Sequence, residues 1–315
     1  MTDTQNEVFK TPVNKIRLFE HGAPGSQNLK LTRKYYTEDM PDGRVKHIVQ
    51  NITDPDIVPY IPDGIGNSTD RQRIPAVLII PGGAFRRLVY NFEGEDVAKW
   101  LNSMGIAAFV LECRLPSDDN AEDVPLIDAM RAMRVIRGRA QEFGIDEAKI
   151  GVMGFSAGGF MAALLSTAYE SDVYADYKYK DEYDKLSARP DFAVCSYPVI
   201  SIDDCIEAGK RYMSEEQVLE RISDGKAKIL HKYNPDKLVR PDMPPVFICE
   251  TDDDRTTLSE NSVGFYMAAR KAGVSAELHI FRTGGHGYGC GDDFAQTGEW
   301  KVLFTKWIKS IGIIS

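Results

Sequence analysis

The fold is decided by the stretch KIGVMGFSAGG (residues 149–159), in which an apolar strand runs into a sharp turn and then into a helix. Its centre has the pattern G-x-S-x-G, with Gly154 and Gly158 on either side of Ser156. A serine at such a turn takes a strained backbone conformation, and the glycines avoid collisions with the neighbouring strand and helix. The stretch therefore predicts that the Ser156 hydroxyl is held at a helix N-terminus and acts as a nucleophile.

Outward from this stretch, short apolar runs alternate with longer helical patterns from about residue 76 onward. The runs show little polar alternation, as strands do when helices cover both faces of a parallel sheet. The predicted strands are residues 76–80, 106–111, 150–153, 192–197, 246–249 and 278–281. The predicted helices are residues 95–103, 125–143, 158–169, 259–272 and 298–311. The sequence therefore predicts an α/β fold with a mostly parallel central sheet and helices on both faces.

The second predicted helix has apolar residues three and four apart on one face. Four arginines, Arg131, Arg134, Arg137 and Arg139, lie mostly on the other face. We expect the apolar face to pack on the sheet.

The length of 315 residues and a hydrophobic content of 43% predict a single domain over residues 1–315. Residues 1–75 are predicted to be a leading extension with an antiparallel edge hairpin. Two polar insertions, 171–190 and 201–242, follow strands that point toward the catalytic end of the sheet, and the second includes a helical stretch at 214–230. We expect these insertions to form a small lid or substrate wall over the active site, and the alternative is a solvated surface excursion.

The charge and the cysteines bear on partners and cofactors. A net charge of -9, from 38 Lys and Arg against 47 Asp and Glu, argues against nucleic acid or an anionic membrane as a partner. The start of the chain has no apolar signal segment, and no uncharged apolar stretch approaches 18 residues, so we expect a cytoplasmic protein. Five widely spaced cysteines without a C-x-x-C pair, and no metal or nucleotide motif, predict no metal and no cofactor. The sequence makes no prediction of the oligomeric state.

A serine nucleophile needs a general base, and the chain has five histidines. His21 and His47 precede the sheet, His231 lies in a basic segment, and His279 lies within a predicted strand. His286 is different because it lies in the glycine-rich loop TGGHGYG (residues 283–289) directly after a strand. We therefore predict that His286 is the general base and acid.

The third group should orient the imidazole, and the stretch ETDDDR (residues 250–255) offers acids at the end of the penultimate strand. The chain order then becomes Ser, Asp, His. Three adjacent aspartates cannot all point at one ring, so we expect one or two of them to pair with Arg255 or to cap the next helix. The residues alone do not choose among Asp252, Asp253 and Asp254.

An acyl-transfer site also needs hydrogen-bond donors for the oxyanion. The first predicted strand ends in PGGAF (residues 81–85), and the backbone amides of Gly83 and Ala84, with that of Ala157 after the nucleophile, are the predicted donors. The alternative is an ordinary glycine turn.

Several long motifs occur in one order, and together they cover nearly the whole chain: EHGAPGS, PGGAF, EGEDVAKWLNSMGIAAFVLECRLP, IGVMGFSAGG, RPDFAVCSYPVIS, PPVFICETDDDRTTLSENS and AELHIFRTGGHGYG. In these motifs the chain resembles the acetylxylan-esterase-like branch of the α/β-hydrolases. The resemblance implies the α/β-hydrolase fold. It also selects Asp254 as the acid, with Asp253 second, because Glu250 stands at a position where similar sequences have a histidine four residues before the catalytic aspartate.

The resemblance further implies a serine hydrolase acting on a small-molecule ester, in particular an acetylated sugar. Three residues depart from the usual pattern: Ala84 replaces a third glycine, Phe160 replaces a frequent histidine, and Cys113 stands where a tyrosine is common. The first departure leaves a backbone donor intact, whereas the other two are expected to reshape the acyl or alcohol pocket and weaken the transfer of the substrate. The competing hypotheses are a serine peptidase and a non-catalytic binding protein on a hydrolase scaffold.

Overall fold

The computed structural model describes residues 9, 14–26, 28–65, 73–116, 120–223, 228–291 and 296–315. The strands in these residues are β1 Ile16–Arg17, β2 Lys34–Asp39, β3 Val45–Gln50, β4 Asp56–Tyr60, β5 Ile74–Ile80, β6 Leu88–Val89, β7 Ala107–Glu112, β8 Ile145–Phe155, β9 Ala193–Ser196, β10 Val246–Thr251 and β11 Ala276–Phe281. The α-helices are α1 Asp96–Ser103, α2 Val124–Gly138, α3 Ala140–Phe143, α4 Ala157–Ala168, α5 Ile202–Gly209, α6 Glu215–Ser223, α7 Ile229–Lys232, α8 Ser259–Lys271 and α9 Glu299–Ser310.

Eight strands form the central sheet in the order β1-β4-β7-β5-β8-β9-β10-β11. The strands from β7 to β11 in this order are parallel, whereas β4 pairs antiparallel with β7 and β1 antiparallel with β4. The central strands β5, β7, β8, β9 and β10 are buried almost throughout, because helices cover the sheet. The predicted mostly parallel sheet and its six predicted strands are confirmed.

All five predicted helices are present, but the second is divided at Arg139 into α2 and α3. Arg139 has φ -103° and ψ 16°, which is outside the helical region. Gly138, the last residue of α2, leaves room for the ring of Tyr183, which a β-carbon there would meet at 2.4 Å. The break between α2 and α3 therefore lies where the insertion 171–190 packs against the end of α2.

The sequence predicts a hairpin on the edge of the central sheet. The hairpin of β2 and β3 forms a second antiparallel sheet with β6 instead. Two buried residues of β3, Ile48 and Val49, pair with Val89 and Leu88 after the first core strand. The antiparallel edge of the central sheet is made by β4 and β1 instead. The parts of the leading extension at residues 1–8, 10–13, 27 and 66–72 lie outside the described residues.

The first insertion, 171–190, is held against α2. Arg131 binds the Asp181 carboxylate and lies 3.1 Å from Asp184, and Arg134 and Arg137 donate to backbone carbonyls of the insertion. The second insertion contains α5, α6 and α7, and the predicted helical stretch 214–230 corresponds to α6 and α7, with residues 224–227 outside the described part. Within the described ranges, no helix combines the length and the apolar character needed to cross a membrane.

Candidate active site

Ser156 lies between β8 and α4 with φ 54° and ψ -118°, a conformation that L-residues rarely adopt. A β-carbon at Gly154 would lie 1.9 Å from the carbonyl oxygen of Gly158, and one at Gly158 would lie 2.0 Å from that of Ile80. Only glycine fits at either position. The two glycines therefore allow the strained turn that the sequence predicts, with Ser156 just before the helix N-terminus.

The structure brings Ser156, His286 and Asp254 together. Ser156 Oγ lies 2.8 Å from His286 Nε2, and His286 Nδ1 lies 2.6 Å from Asp254 Oδ2. The Asp254 carboxylate is buried and also accepts hydrogen bonds from the backbone amides of Thr256 and Thr257 and from the Thr257 hydroxyl. These donors fix the carboxylate in line with the imidazole.

The charges of the pair shift both pKa values. Burial lowers the pKa of His286, but the nearby Asp254 carboxylate outweighs burial and the pKa stands above its ordinary value. Burial likewise raises the pKa of Asp254, but the His286 charge and the hydrogen bonds to the carboxylate outweigh it, so this pKa is lowered. An ionised aspartate beside a basic imidazole is the arrangement that a general base requires.

The three adjacent aspartates have different surroundings. Asp253 Oδ1 accepts a hydrogen bond of 2.8 Å from the backbone amide of Gly285, next to His286, whereas the Asp252 side chain is exposed. The expected pairing with Arg255 is replaced by a contact in which the guanidinium lies 5.5 Å from the centre of the Tyr212 ring. Of the three, Asp254 is the one in contact with the imidazole.

The predicted oxyanion donors lie in the turn after β5 and at the start of α4. Gly83 and Ala84 line the same cavity as Ser156, and among the described residues their amides and that of Ala157 donate to no protein acceptor. Ala84 has φ 57° although it has a side chain. The departure from glycine at Ala84 therefore keeps the backbone amide at the cost of local strain.

Glu93 is a buried carboxylate that the sequence analysis missed. Its Oε2 accepts a hydrogen bond of 2.8 Å from the amide of Gly82, and its Oε1 accepts one of 2.9 Å from the Tyr197 hydroxyl. Tyr197 in turn accepts a hydrogen bond from the amide of Gly289, in the histidine loop. Burial raises the pKa of Glu93, and the His286 charge opposes this rise. Glu93 therefore connects the turn of the oxyanion donors to the loop of His286.

A cavity of about 400 Å³ opens over Ser156 and His286. Its wall includes residues of the β2–β3 hairpin, among them Lys46, and of the turn after β5, among them Arg86. Neither polar insertion contributes a described residue to this wall. The predicted lid over the active site stays a prediction, and the leading hairpin contributes part of the wall instead.

The tyrosines of the first insertion are mostly engaged in packing. Tyr174 donates a hydrogen bond of 2.8 Å to Asp184, Tyr177 donates to the carbonyl of Gly22, and Tyr183 lies under the guanidinium of Arg131. Two of the three departures from the family pattern are buried: Phe160 packs edge-on against Phe85 with ring centres 5.8 Å apart, and Cys113 is 3% exposed. Neither is among the cavity residues.

Residues 65–268 match the family model described as BD-FAE. The chain is 32% identical over 238 residues to an acetylxylan esterase of Xylanibacter ruminicola, a match that covers 75% of this chain and 45% of that protein. It is 31% identical over 227 residues to endo-1,4-beta-xylanase B of Butyrivibrio fibrisolvens, covering 71% of this chain and 34% of that protein. The chain thus spans less than half the length of these curated relatives.

A crystal structure of an acetyl ester-xyloside bifunctional hydrolase from Caldicellulosiruptor lactoaceticus superimposes with a TM-score of 0.73 and 34% identity. The alignment covers 96% of this chain and 97% of that chain. The predicted α/β-hydrolase fold and the predicted resemblance to acetylxylan esterases are confirmed by these similarities.

Proposed function

The chain belongs to the BD-FAE family, and from this premise we propose that it is a carboxylic ester hydrolase with a serine nucleophile that removes short acyl groups, in particular acetyl groups, from a carbohydrate. The observation that carries the proposal is the hydrogen-bonded series from Ser156 Oγ through both ring nitrogens of His286 to Asp254. The names of the relatives, an acetylxylan esterase and an acetyl ester-xyloside hydrolase, support the acetyl group and the sugar.

In the proposed reaction, Ser156 Oγ attacks the acyl carbon while His286 Nε2 accepts the hydroxyl proton. Asp254 holds the ring through Nδ1 and stabilises its protonated form. The tetrahedral intermediate then expels the alcohol, which takes the proton from His286, and leaves the acyl group on Ser156. Water attacks this acyl-enzyme with His286 again as the base, and the carboxylic acid departs.

The negative charge of each tetrahedral intermediate requires donors that are already oriented. We assign this role to the amides of Gly83, Ala84 and Ala157. The absence of acceptors for these amides among the described residues supports the assignment.

Replacement of Ser156 by alanine tests the proposal. We expect Ser156→Ala to abolish hydrolysis of 4-nitrophenyl acetate and covalent labelling by a fluorophosphonate probe, because no other group takes over the attack. Ser103→Ala is the control, since Ser103 lies at the exposed end of α1 and, among the described residues, its hydroxyl donates only to the Trp100 carbonyl. Hydrolysis retained by Ser156→Ala would contradict the assignment of Ser156 as the nucleophile. No adduct on Ser156 of the wild-type protein would contradict the proposal and favour a binding role.

The same assay separates two adjacent aspartates. Asp254→Asn should lower kcat by roughly 10³ to 10⁴, because the amide no longer stabilises the imidazolium. Asp253→Asn should change kcat by less than about tenfold, since the asparagine oxygen can still accept from Gly285. Equal losses in the two variants would overturn the assignment of Asp254.

A further inference from the structure

We propose that the site prefers esters whose alcohol part carries a carboxylate, such as a uronic acid unit of an acetylated oligosaccharide, and that Lys46 and Arg86 bind this carboxylate. The inference rests on the proposed function, because it concerns the substrate of the same site. Its starting observation is the charge of the cavity wall, which includes Arg44, Lys46, Arg86 and Arg87 in a chain whose net charge is -9.

Two of these four cations are already paired with acids of the hairpin. Arg44 lies 2.8 Å from the carboxylate of Asp42, and Arg87 lies 2.5 Å from that of Glu38. Within the described part of the chain, neither Lys46 nor Arg86 has a side-chain hydrogen bond or an ion pair. The cavity wall therefore contains two positive charges that form no ion pair with an acid of the described residues.

Glu93, an acid in the cavity wall, is not an ion-pair partner of Lys46 or Arg86. Its two oxygens accept hydrogen bonds from the Gly82 amide and the Tyr197 hydroxyl. Two half-buried cations without an ion-pair or hydrogen-bond partner in the described ranges favour an anion that comes with the substrate, because a carboxylate between them gains charge-assisted hydrogen bonds.

The backbone at both cations is fixed. The side chain of Asn91 accepts from the amide of His47 at 2.9 Å and donates to the carbonyl of Val45 at 2.8 Å, so it holds the residues on both sides of Lys46. Arg86 lies in the turn after β5, where its amide donates to the carbonyl of Gly83 at 3.1 Å. Fixed positions reduce the conformational cost of binding.

We assign Lys46 to the alcohol side of the ester because it shares the cavity with His286. His286 gives its proton to the leaving alcohol, so the alcohol lies beside the imidazole. Lys46 and His286 line the same cavity, and the positive charge of Lys46 acts on the imidazole, in agreement with this assignment. The carboxylate is therefore expected on the sugar rather than on the acyl chain.

The test compares an acetylated methyl glucuronoside with its uncharged glucuronamide, which has nearly the same shape and no second ester. We expect the wild-type enzyme to release acetate from the acid with a kcat/KM roughly tenfold higher than from the amide, mainly through KM, and less so at high salt. In the double variant Lys46→Gln/Arg86→Gln this ratio should fall to near one. The ratio cancels any loss that both substrates share.

The matched control is Arg270→Gln/Lys271→Gln, which removes the same charge from two exposed residues at the end of α8. This control variant should keep the wild-type ratio of kcat/KM for the acid over the amide. A monosuccinyl ester of the neutral glycoside, which carries its carboxylate on the acyl chain, should show no comparable preference over the acetyl ester. Calorimetry with Ser156→Ala should give a lower Kd for the acid than for the amide, without any turnover. Binding of the carboxylate is thereby tested independently of the proposed chemistry. Equal Kd and kcat/KM for acid and amide, or a preference that survives the double variant, would overturn the inference.

Discussion

Glu93 acts on the pKa of His286 and is linked by hydrogen bonds to two loops of the candidate site. In the proposed mechanism His286 is a base only when it is neutral, so kcat/KM is expected to fall as the pH drops through its pKa, which stands above the ordinary value of about 6.5. The carboxylates of Asp254 and Glu93 raise that pKa, and Lys46 lowers it. The acid limb of the pH profile therefore reports on all three groups.

We predict that Glu93→Gln moves the acid limb of kcat/KM to lower pH, because one negative charge that favours the imidazolium is gone. We also expect kcat to fall by about tenfold, since glutamine cannot accept at both oxygens and the turn of the oxyanion donors loses support. The matched control is Glu95→Gln, two residues away, whose carboxylate bonds Lys99 on the surface. If kcat falls but the acid limb of the kcat/KM profile stays at the same pH, the role of Glu93 is only structural and its charge does not act on His286.

Sequence reasoning could select Ser156 and His286, whose side chains lie 2.8 Å apart in the structure, because glycines mark both turns. It could not find Glu93, since NFEGE (residues 91–95) has the composition of an ordinary solvated helix start. It also could not separate Asp253 from Asp254 without the family pattern, because the direction of adjacent side chains depends on the turn after β10 and not on their identity.

At the scale of elements, the contact between α4 and the end of β5 is what shapes the site. The space at Gly158 is closed by the carbonyl of Ile80, immediately before the turn that carries the oxyanion donors. Any side chain there must displace that turn.

We predict that Gly158→Ala lowers the free energy of unfolding by about 3 kcal/mol and abolishes activity, because the added methyl group overpacks this contact. The same chemical change at Gly264 should raise the free energy of unfolding by about 0.5 to 1 kcal/mol, since nothing lies within 4 Å of a β-carbon there and alanine favours the helix α8. Urea denaturation measures both. Similar effects of the two substitutions would show that the contact at Gly158 is not tight.

The long apolar strands were predictable because burial on both faces removes polar residues from them. The second sheet was not, because β6 has only two residues and pairs with β3, about forty positions earlier. Such a short strand has no sequence pattern of its own, and its pairing depends on where the turn after β5 leads the chain.

At the scale of the whole molecule, a buried ion pair connects three distant segments. Arg114 and Asp128 are both fully buried, with the guanidinium 2.6 Å from the carboxylate. The guanidinium also donates to the carbonyl of Pro24 and the hydroxyl of Ser26, within the early motif EHGAPGS. The leading segment is thereby fastened to the end of β7 and to α2.

We predict that Arg114→Met lowers the free energy of unfolding by about 3 to 5 kcal/mol, because it leaves the Asp128 charge buried without its partner. The double variant Arg114→Met/Asp128→Leu should recover part of this loss. Arg139→Met, which breaks an exposed pair with Glu142, should cost less than about 1 kcal/mol. Thermal and urea unfolding of the four proteins measure these differences, and equal losses from the two single variants would be the contrary result.

The place where the insertion 171–190 packs could not be predicted from its position in the sequence. The arginines of α2 have the spacing of a solvated face, yet Arg131, Arg134 and Arg137 bind this insertion. The direction in which a polar loop folds depends on such distant partners. The single domain over residues 1–315 and the cytoplasmic location stay predictions.

The β2–β3 hairpin precedes residues 65–268, the region by which the family is recognised. Ser156 and Asp254 lie inside that region, whereas Lys46 lies outside it. The proposed carboxylate site thus combines Arg86, inside the family region, with Lys46, before it, just as the proposed triad combines Ser156 and Asp254 with His286, after it. A match over residues 65–268 alone therefore carries no information on which residue lines the cavity at position 46.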